Sequence, residues 1–335
     1  MRRLTSALCL LPFTLWASAQ QPQQAPPPQQ TPQQPQQPTF RSTGRVVPVY
    51  TTVTDESGQL VLDLTQDDFE IRDNGKLEEI TQFSMKLAPM TGTILIDGSQ
   101  SVVRDFDLLI GAADAFIVRM MSGDRVRIGS FAEDVRLGPA PTDDRDELIR
   151  YLRNPLSLRM GIRTRLWDAI DLAIATLPPA ESRRVVLVLT DGQDTFSIKR
   201  QPDVISRAMR NDVMIYAIRV PPSTFEPKDQ DDANRAKLRA AYMGTDKIPP
   251  RPADGLLNEV VSDTGGGFFE IDQLSELNSI ATQIALELHS QYILGFTPEK
   301  LDNKVHKIEV RVKKHGFNAR ARRSYLASPE AKPGG

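Results

Sequence analysis

The chain has 335 residues, of which 40% are hydrophobic and 25% are charged, a composition typical of a globular protein. Its formal net charge of -2 excludes the strongly basic balance of a general nucleic-acid-binding protein.

Residues 1–19 have the features of a secretion signal. Two arginines near the start precede a short apolar run over residues 7–16, and Ala17-Ser18-Ala19 resembles a cleavage site. The apolar run is too short to cross about 30 Å of hydrocarbon, so we do not interpret it as a membrane anchor. Cys9, the only cysteine, lies within this segment, which excludes disulfides and thiol chemistry from the mature chain. We therefore expect a secreted or periplasmic protein.

Residues 20–40 are rich in proline and glutamine and show no apolar periodicity. Such a segment cannot bury enough apolar surface to offset its ordering entropy, so we predict a disordered, extended linker. The alternative is a proline-rich ligand for another protein.

Residues 45–85 are predicted to form strands. The stretch "VVPVYTTVT" is β-branched and aromatic, and Asp73-Asn74-Gly75 is a hairpin signal after the strand near Phe69.

Residues 89–291 alternate between predicted strands and amphipathic helices. The runs "TGTILID", "RRVVLVLTDG" and "VMIYAIRV" are almost continuously apolar, as strands buried on both faces require. The alternation predicts an α/β fold, with a doubly wound, mostly parallel sheet flanked by helices. Residues 221–254 are polar and proline-rich, and we interpret them as a surface insertion.

Residues 292–326 return to strand-like patterns, with Ile308, Val310 and Val312 at alternate positions. We infer that this segment packs with residues 45–85 as a small discontinuous β domain. Residues 327–335 form a tail.

Oxygen-bearing side chains follow the predicted strands of the α/β segment. Asp97, Ser99 and Ser101 come directly after the first apolar run, Asp191 follows the second, and Thr164 lies at the start of a predicted helix. Ligands of open α/β sheets bind beyond the carboxyl ends of the strands. Hydroxyl and carboxylate oxygens suit Mg²⁺, Mn²⁺ or Ca²⁺. The alternative is an ordinary set of strand-to-helix turns that binds no ion.

The pattern Asp97-x-Ser99-x-Ser101, with Thr164 and Asp191, resembles the metal-ion-dependent adhesion site of von Willebrand factor A (VWA) domains. The resemblance covers residues 89–291. The flanking stretches "LTQDDFEIRDNGK" and "SQYILGFTP" resemble a secreted acidobacterial group of VWA-related proteins. The resemblance implies that these five residues bind Mg²⁺, or Mn²⁺ or Ca²⁺. It also implies that an acidic side chain of a partner protein completes the coordination.

One loop departs from the family pattern. The family often has Gly-Gly-Thr before the helix, whereas this chain has Ile162-Arg163-Thr164-Arg165. Arginines that point inward would repel a dication, and arginines that point outward would attract an acidic partner. We predict that Gln100, Arg163, Arg165 and Asp194 form a partner-binding rim, although a helix cap is the simpler role for Asp194.

The functional prediction is a metal-dependent, adhesion-type protein-binding module, and not an enzyme, with no membrane span and no nucleic-acid ligand. The alternatives are a metal-free structural module of an envelope or extracellular assembly, and a metal-assisted hydrolase. The hydrolase is disfavoured because His289, His306 and His315 lie late in the chain, away from the carboxylate loops.

Overall fold

The structure is a computed structural model that describes residues 45–85, 87–154, 156–158, 160–179, 183–220 and 253–328. The predicted signal at 1–19, the linker at 20–40, nearly all of the insertion at 221–254 and most of the tail at 327–335 lie outside the described residues.

The described residues form fourteen β-strands and six α-helices. In chain order these are β1 (Val47–Asp55), β2 (Phe69–Asp73), β3 (Lys76–Glu78), β4 (Ile80–Ser84), β5 (Met90–Asp97), α1 (Phe106–Val118), β6 (Arg125–Phe131), β7 (Val135–Leu137), α2 (Arg145–Arg153), α3 (Leu166–Ala175), β8 (Arg183–Thr190), α4 (Gln201–Asn211), β9 (Val213–Arg219), α5 (Ala253–Thr264), β10 (Phe268–Glu270), α6 (Leu277–His289), β11 (Tyr292–Phe296), β12 (Val305–Val312), β13 (Phe317–Ala321) and β14 (Ser324–Leu326).

The central sheet has six strands in the order β10-β9-β8-β5-β6-β7. Its strands pair in parallel except for β7, which returns antiparallel to β6. All eight residues of β5 are buried, which explains the continuously apolar run in the sequence. Helices α1, α2 and α6 cover one face of the sheet with an apolar core, and α3, α4 and α5 cover the other face.

Strands from the two ends of the chain form two further sheets, in the orders β13-β1-β11-β4 and β14-β12-β2-β3. A single apolar core includes Val49 and Leu294 of the first sheet and Ile71 and Ile308 of the second. The two sheets therefore enclose one core to which both ends of the chain contribute.

The predicted fold class is confirmed: a mixed sheet flanked by helices is accompanied by β structure from the N- and C-terminal segments. None of the described helices has the length and apolar character needed to cross a bilayer.

The glycine pair after α5 has a packing role. Gly265 ends the helix with a φ of 82°. A Cβ on Gly266 would lie 1.9 Å from the carbonyl oxygen of Ile215, so only glycine lets the chain approach β9 this closely.

Candidate metal centre

Three loops meet at the carboxyl edge of the central sheet. Strand β5 ends at Asp97, strand β8 ends at Thr190 just before Asp191, and the loop that carries Thr164 leads into α3. Neighbouring parallel strands end at the same edge, so β5 and β8 deliver their following loops side by side.

Hydrogen bonds connect each loop to the other two. The Gly161 amide donates to the Gly98 carbonyl at 3.0 Å and joins the Thr164 loop to the first loop. The Thr164 amide donates to the Thr195 hydroxyl at 2.9 Å, and the Phe196 amide donates to the Thr164 carbonyl at 2.9 Å. The first and third loops are connected where they begin, by the hydrogen bond from the Thr190 hydroxyl to the Asp97 carboxylate. Because the three loops are mutually fixed, their side chains have little freedom to separate.

Asp97 is fully buried and held by two hydrogen bonds. The Ser99 amide donates to its Oδ1 at 2.8 Å, and the Thr190 hydroxyl donates to its Oδ2 at 2.6 Å. Thr190 in turn accepts from the Gly192 amide at 3.0 Å. Burial and the charge of Asp191 raise the pKa of Asp97 to about 7, although these hydrogen bonds act in the opposite direction.

Asp191 is also buried, with 1% of its surface exposed. Its Oδ1 accepts from the Gln193 amide at 3.0 Å, whereas its Oδ2 is buried and accepts no hydrogen bond from the described residues. Burial raises the pKa of Asp191, while the Gln193 amide and the Ser101 side chain lower it. An unpaired buried carboxylate oxygen is costly, so a water molecule, an ion or another group that the described residues do not supply would stabilise this atom.

The hydroxyl residues predicted from the sequence lie in the same region. Ser99 and Thr164 are buried, Ser101 is half-buried, and the Ser99 and Ser101 oxygens are 2.9 Å apart. Among the described residues no cluster of three or more His, Cys, Asp or Glu side chains is placed to hold a metal, so this site relies on two carboxylates and three hydroxyls. That donor set, with an unpaired buried oxygen and two adjacent carboxylates, fits a hard dication such as Mg²⁺.

The two arginines beside Thr164 are held by an aromatic ring. The guanidinium carbons of Arg163 and Arg165 each lie 4.5 Å from the ring centroid of Phe196. Arg165 also forms an ion pair of 3.0 Å with Asp168. Phe196 therefore contacts both guanidinium groups, and these contacts orient the side chains of Arg163 and Arg165. Gln100 is exposed at the turn after Ser99.

Asp194 acts as a cap for α3 from another part of the chain. Its Oδ1 accepts from the Leu166 amide at 2.9 Å and from the Ser197 hydroxyl at 2.6 Å. These contacts support the role of Asp194 as a helix cap. Its place in a partner-binding rim stays a prediction.

Two residues that matter to the site were missed by sequence reasoning. Thr190 orients Asp97, but it lies at the end of an apolar strand, where a threonine carries no recognisable sequence signal. Phe196 follows a polar stretch and carries no motif. The signal that could have found Phe196 is the presence of two arginines two residues apart, since stacked guanidiniums need an aromatic surface.

The family model of the von Willebrand factor type A domain matches residues 93–246. No curated protein matched the sequence. Among solved structures, BatB from Bacteroides thetaiotaomicron is 18% identical over 59% of this chain and 98% of that chain, with a TM-score of 0.43. A von Willebrand factor type A protein from Catenulispora acidiphila is 12% identical over 87% of this chain and 78% of its own, with a TM-score of 0.44. The vWF domain of the type V pili tip protein Mfa5 from Porphyromonas gingivalis is 11% identical over 60% of this chain and 97% of that chain, with a TM-score of 0.41.

These structures are too distant to carry an argument about activity, and the resemblance to the acidobacterial group stays a prediction. The family match and the six-stranded sheet with helices on both faces agree with each other. Domains of this family are commonly protein-interaction modules. This chain therefore carries a von Willebrand factor type A domain over residues 93–246.

Proposed function

We propose that the protein is a secreted, non-enzymatic binding module that presents a divalent cation to an acidic side chain of another protein. The residues that would hold Mg²⁺, or Mn²⁺ or Ca²⁺, are Asp97, Ser99, Ser101, Thr164 and Asp191. The observation that carries the proposal is the buried Oδ2 of Asp191, which has no hydrogen-bond partner among the described residues and belongs to a carboxylate whose charge acts on the buried Asp97. Secretion rests on the signal-like pattern of residues 1–19.

The chain contributes charge and orientation. Asp97 and Asp191 supply two negative charges, and the hydroxyls add neutral oxygens, so the charge of a dication is balanced without filling every coordination position. A bound dication would supply an open coordination position for a carboxylate. Thr190, the Ser99 amide and the Gln193 amide fix the directions of the two aspartates, so ligand binding requires little rearrangement.

The placement of two histidines supports a binding module over a hydrolase. His289 is buried and faces Asp124 at 2.8 Å, and His306 is buried between Asp73 and Asp302. Both imidazoles are engaged in internal contacts away from the three loops, so neither supplies a general base to the candidate site.

The test is affinity capture from the native extracellular fraction in Mg²⁺, with wild type, Asp97→Ala and Asp107→Asn as baits. Asp107 is an exposed carboxylate outside the five candidate positions, so its variant is the matched control. Proteins captured by wild type and the control, and lost both in chelator and with Asp97→Ala, would support the proposal. Capture that persists in chelator and with Asp97→Ala would instead support a metal-free structural module.

A further inference from the structure

The loop that carries Thr164 places two guanidiniums at the rim of the candidate metal centre. Arg163 and Arg165 flank Thr164, whose amide and carbonyl are both hydrogen-bonded to the third loop. The backbone positions of the two arginines are therefore set by the same contacts that set the site.

Phe196 fixes the side chains as well. Both guanidinium carbons lie 4.5 Å from its ring centroid, and the residue is 38% exposed. Stacking on a phenyl ring stabilises each cation and restricts its rotation. Two like charges on a single ring also repel each other, so the arrangement gains from anions nearby.

The two arginines differ in how their charge is balanced. Arg165 pairs with Asp168, which also accepts hydrogen bonds from the Ile198 and Lys199 amides. Arg163 makes no hydrogen bond or ion pair with a described residue, and its contact with Phe196 leaves its donors available. Arg163 is thus a positioned guanidinium beside the candidate cation site, and none of the described residues serves as its counter-ion.

We propose that Arg163 is a second anion-binding position, and that the matching ligand is an acidic protein segment with two neighbouring carboxylates. This inference rests on the proposed function. One carboxylate goes to the cation, and the other forms a bidentate pair with the planar guanidinium of Arg163. Ile162 and Ile198 are exposed by 40% and 81%, and they provide apolar contact surface for the aliphatic parts of the segment.

The proposed role of Arg163 predicts that its substitution affects metal binding and ligand binding differently. Arg163→Gln removes a positive charge near the dication, so Mn²⁺ should bind equally well or somewhat more tightly. The same change removes the partner of the second carboxylate, so the ligand should bind less tightly. A residue that acted only by stabilising the loop would weaken both.

The experiment uses two dye-labelled peptides of equal length, one with a single glutamate and one with two glutamates separated by one alanine. Fluorescence anisotropy in Mn²⁺ gives their affinities for wild type, Arg163→Gln and Arg165→Gln, and calorimetry gives Mn²⁺ binding separately. We expect wild type to bind the diacidic peptide about tenfold more tightly than the monoacidic one, and Arg163→Gln to lose this difference. Arg165→Gln should retain most of it, since Arg165 is already paired.

Normal Mn²⁺ binding with equal affinity for the two peptides, or with no peptide binding, would overturn the role of Arg163 and leave the metal site standing. A preference for the diacidic peptide that survives Arg163→Gln would also overturn it. Absence of Mn²⁺ binding to wild type would overturn the proposed function and this inference together.

Discussion

At the scale of single residues, the candidate site places two buried carboxylates close together, and the charge of Arg219 acts on Asp191. Asp97 and Asp191 are buried, close enough for the charge of Asp191 to raise the pKa of Asp97, and Asp191 retains an unpaired oxygen. Buried charges without counter-ions destabilise a folded protein. The two aspartates should therefore lower the stability of the metal-free protein, which is the pattern expected of residues that serve binding and not folding.

Asp97→Asn should stabilise the metal-free protein. Because the folded-state pKa of Asp97 is raised from 3.8 to about 7, its charged form destabilises the fold, and wild-type stability should fall as pH rises through that interval. In chelator near neutral to mildly basic pH, the variant should gain roughly 1–3 kcal/mol in the free energy of unfolding. The gain should shrink at acid pH, where Asp97 is protonated. Denaturant unfolding at several pH values measures both effects, and a variant less stable than wild type at high pH would contradict the assignment.

The five candidate positions could be proposed from the sequence because Asp97, Ser99, Ser101 and Asp191 follow apolar runs and Thr164 lies just before a predicted helix. The contacts that orient them could not. Thr190 on β8 contacts Asp97 on the neighbouring strand β5. The two residues lie 93 positions apart in the sequence, so no local pattern predicts their contact. The stacking of Arg163 and Arg165 on Phe196 likewise depends on how two loops come together.

At the scale of elements, helix α3 illustrates why boundaries were harder to predict than strands. Strands β5 and β8 are buried on both faces, so their apolar runs identify them directly. Helix α3 begins at Leu166, and its neighbour Arg165 offers no capping side chain. The cap comes from Asp194 in another loop, so the start of the helix is defined by tertiary structure.

Asp194→Ala should destabilise the domain by about 1–2 kcal/mol, as loss of a helix cap does. Asp194→Asn retains an acceptor oxygen and should cost less. Thermal or denaturant unfolding in chelator measures this contribution without metal. If the alanine variant unfolds like wild type, Asp194 has no capping role and its place in the rim becomes its main interpretation.

In the β domain, strands β2, β12 and β14 are joined through a buried histidine. His306 Nδ1 lies 2.9 Å from Asp73, its Nε2 lies 3.2 Å from Asp302, and the Tyr325 hydroxyl donates to Asp73 at 2.9 Å. Burial lowers the pKa of His306, whereas the hydrogen bonds and charges of Asp73 and Asp302 raise it. The second effect is the larger, so the pKa of His306 lies above its usual value of 6.5. The folded protein therefore favours the imidazolium form more than the unfolded chain does.

The contacts of His306 with Asp73 and Asp302 should make the free energy of unfolding depend on pH. Because the folded-state pKa of His306 is raised, its stabilisation is complete below the unfolded value of 6.5 and is lost as pH rises through the folded value. His306→Gln should cost about 2 kcal/mol in mildly acidic solution and less in basic solution. Tyr325→Phe is the comparison variant: it retains the contacts of His306 with both carboxylates and removes only a neighbouring hydroxyl, so its cost should vary less with pH than that of His306→Gln. A cost for His306→Gln that does not change with pH would contradict the pair.

At the scale of the whole molecule, the β sheets and the VWA domain are joined by buried polar groups. Arg183 is 1% exposed, and its guanidinium donates to the carbonyls of Leu288 and Gln291, where the chain passes from α6 to β11. Glu287 at the end of α6 forms an ion pair with Arg320 of β13. Burial raises the pKa of Glu287, and the charge of Arg320 opposes that effect.

Removing one partner of this ion pair should cost more than removing both. Arg320→Ala leaves the carboxylate of Glu287 buried without its counter-ion, and we expect a loss of roughly 3 kcal/mol in the free energy of unfolding. Adding Glu287→Gln in the same chain should restore part of that loss, because a neutral amide is cheaper to bury. Denaturant unfolding of the two single variants and the double variant measures the coupling. Strictly additive effects would show that the two side chains do not depend on each other.

The sequence predicted that the two ends of the chain share a β domain, since strand-like alternation flanks the α/β segment on both sides. It could not predict how that domain attaches to the VWA domain. The attachment depends on single buried groups such as Arg183 and Glu287, which in the sequence are indistinguishable from surface charges.

The central claim is that Asp97 and Asp191 hold a dication. Calorimetric titration of Mn²⁺ and Mg²⁺ into wild type, Asp191→Asn and the control Asp107→Asn tests this most directly, with melting temperatures recorded alongside. We expect saturable one-site binding and a higher melting temperature for wild type and the control, as a ligand specific to the folded state produces. Asp191→Asn should show neither. Wild type that gives no heat and no melting shift with either ion, or Asp191→Asn that binds as wild type does, would contradict the claim.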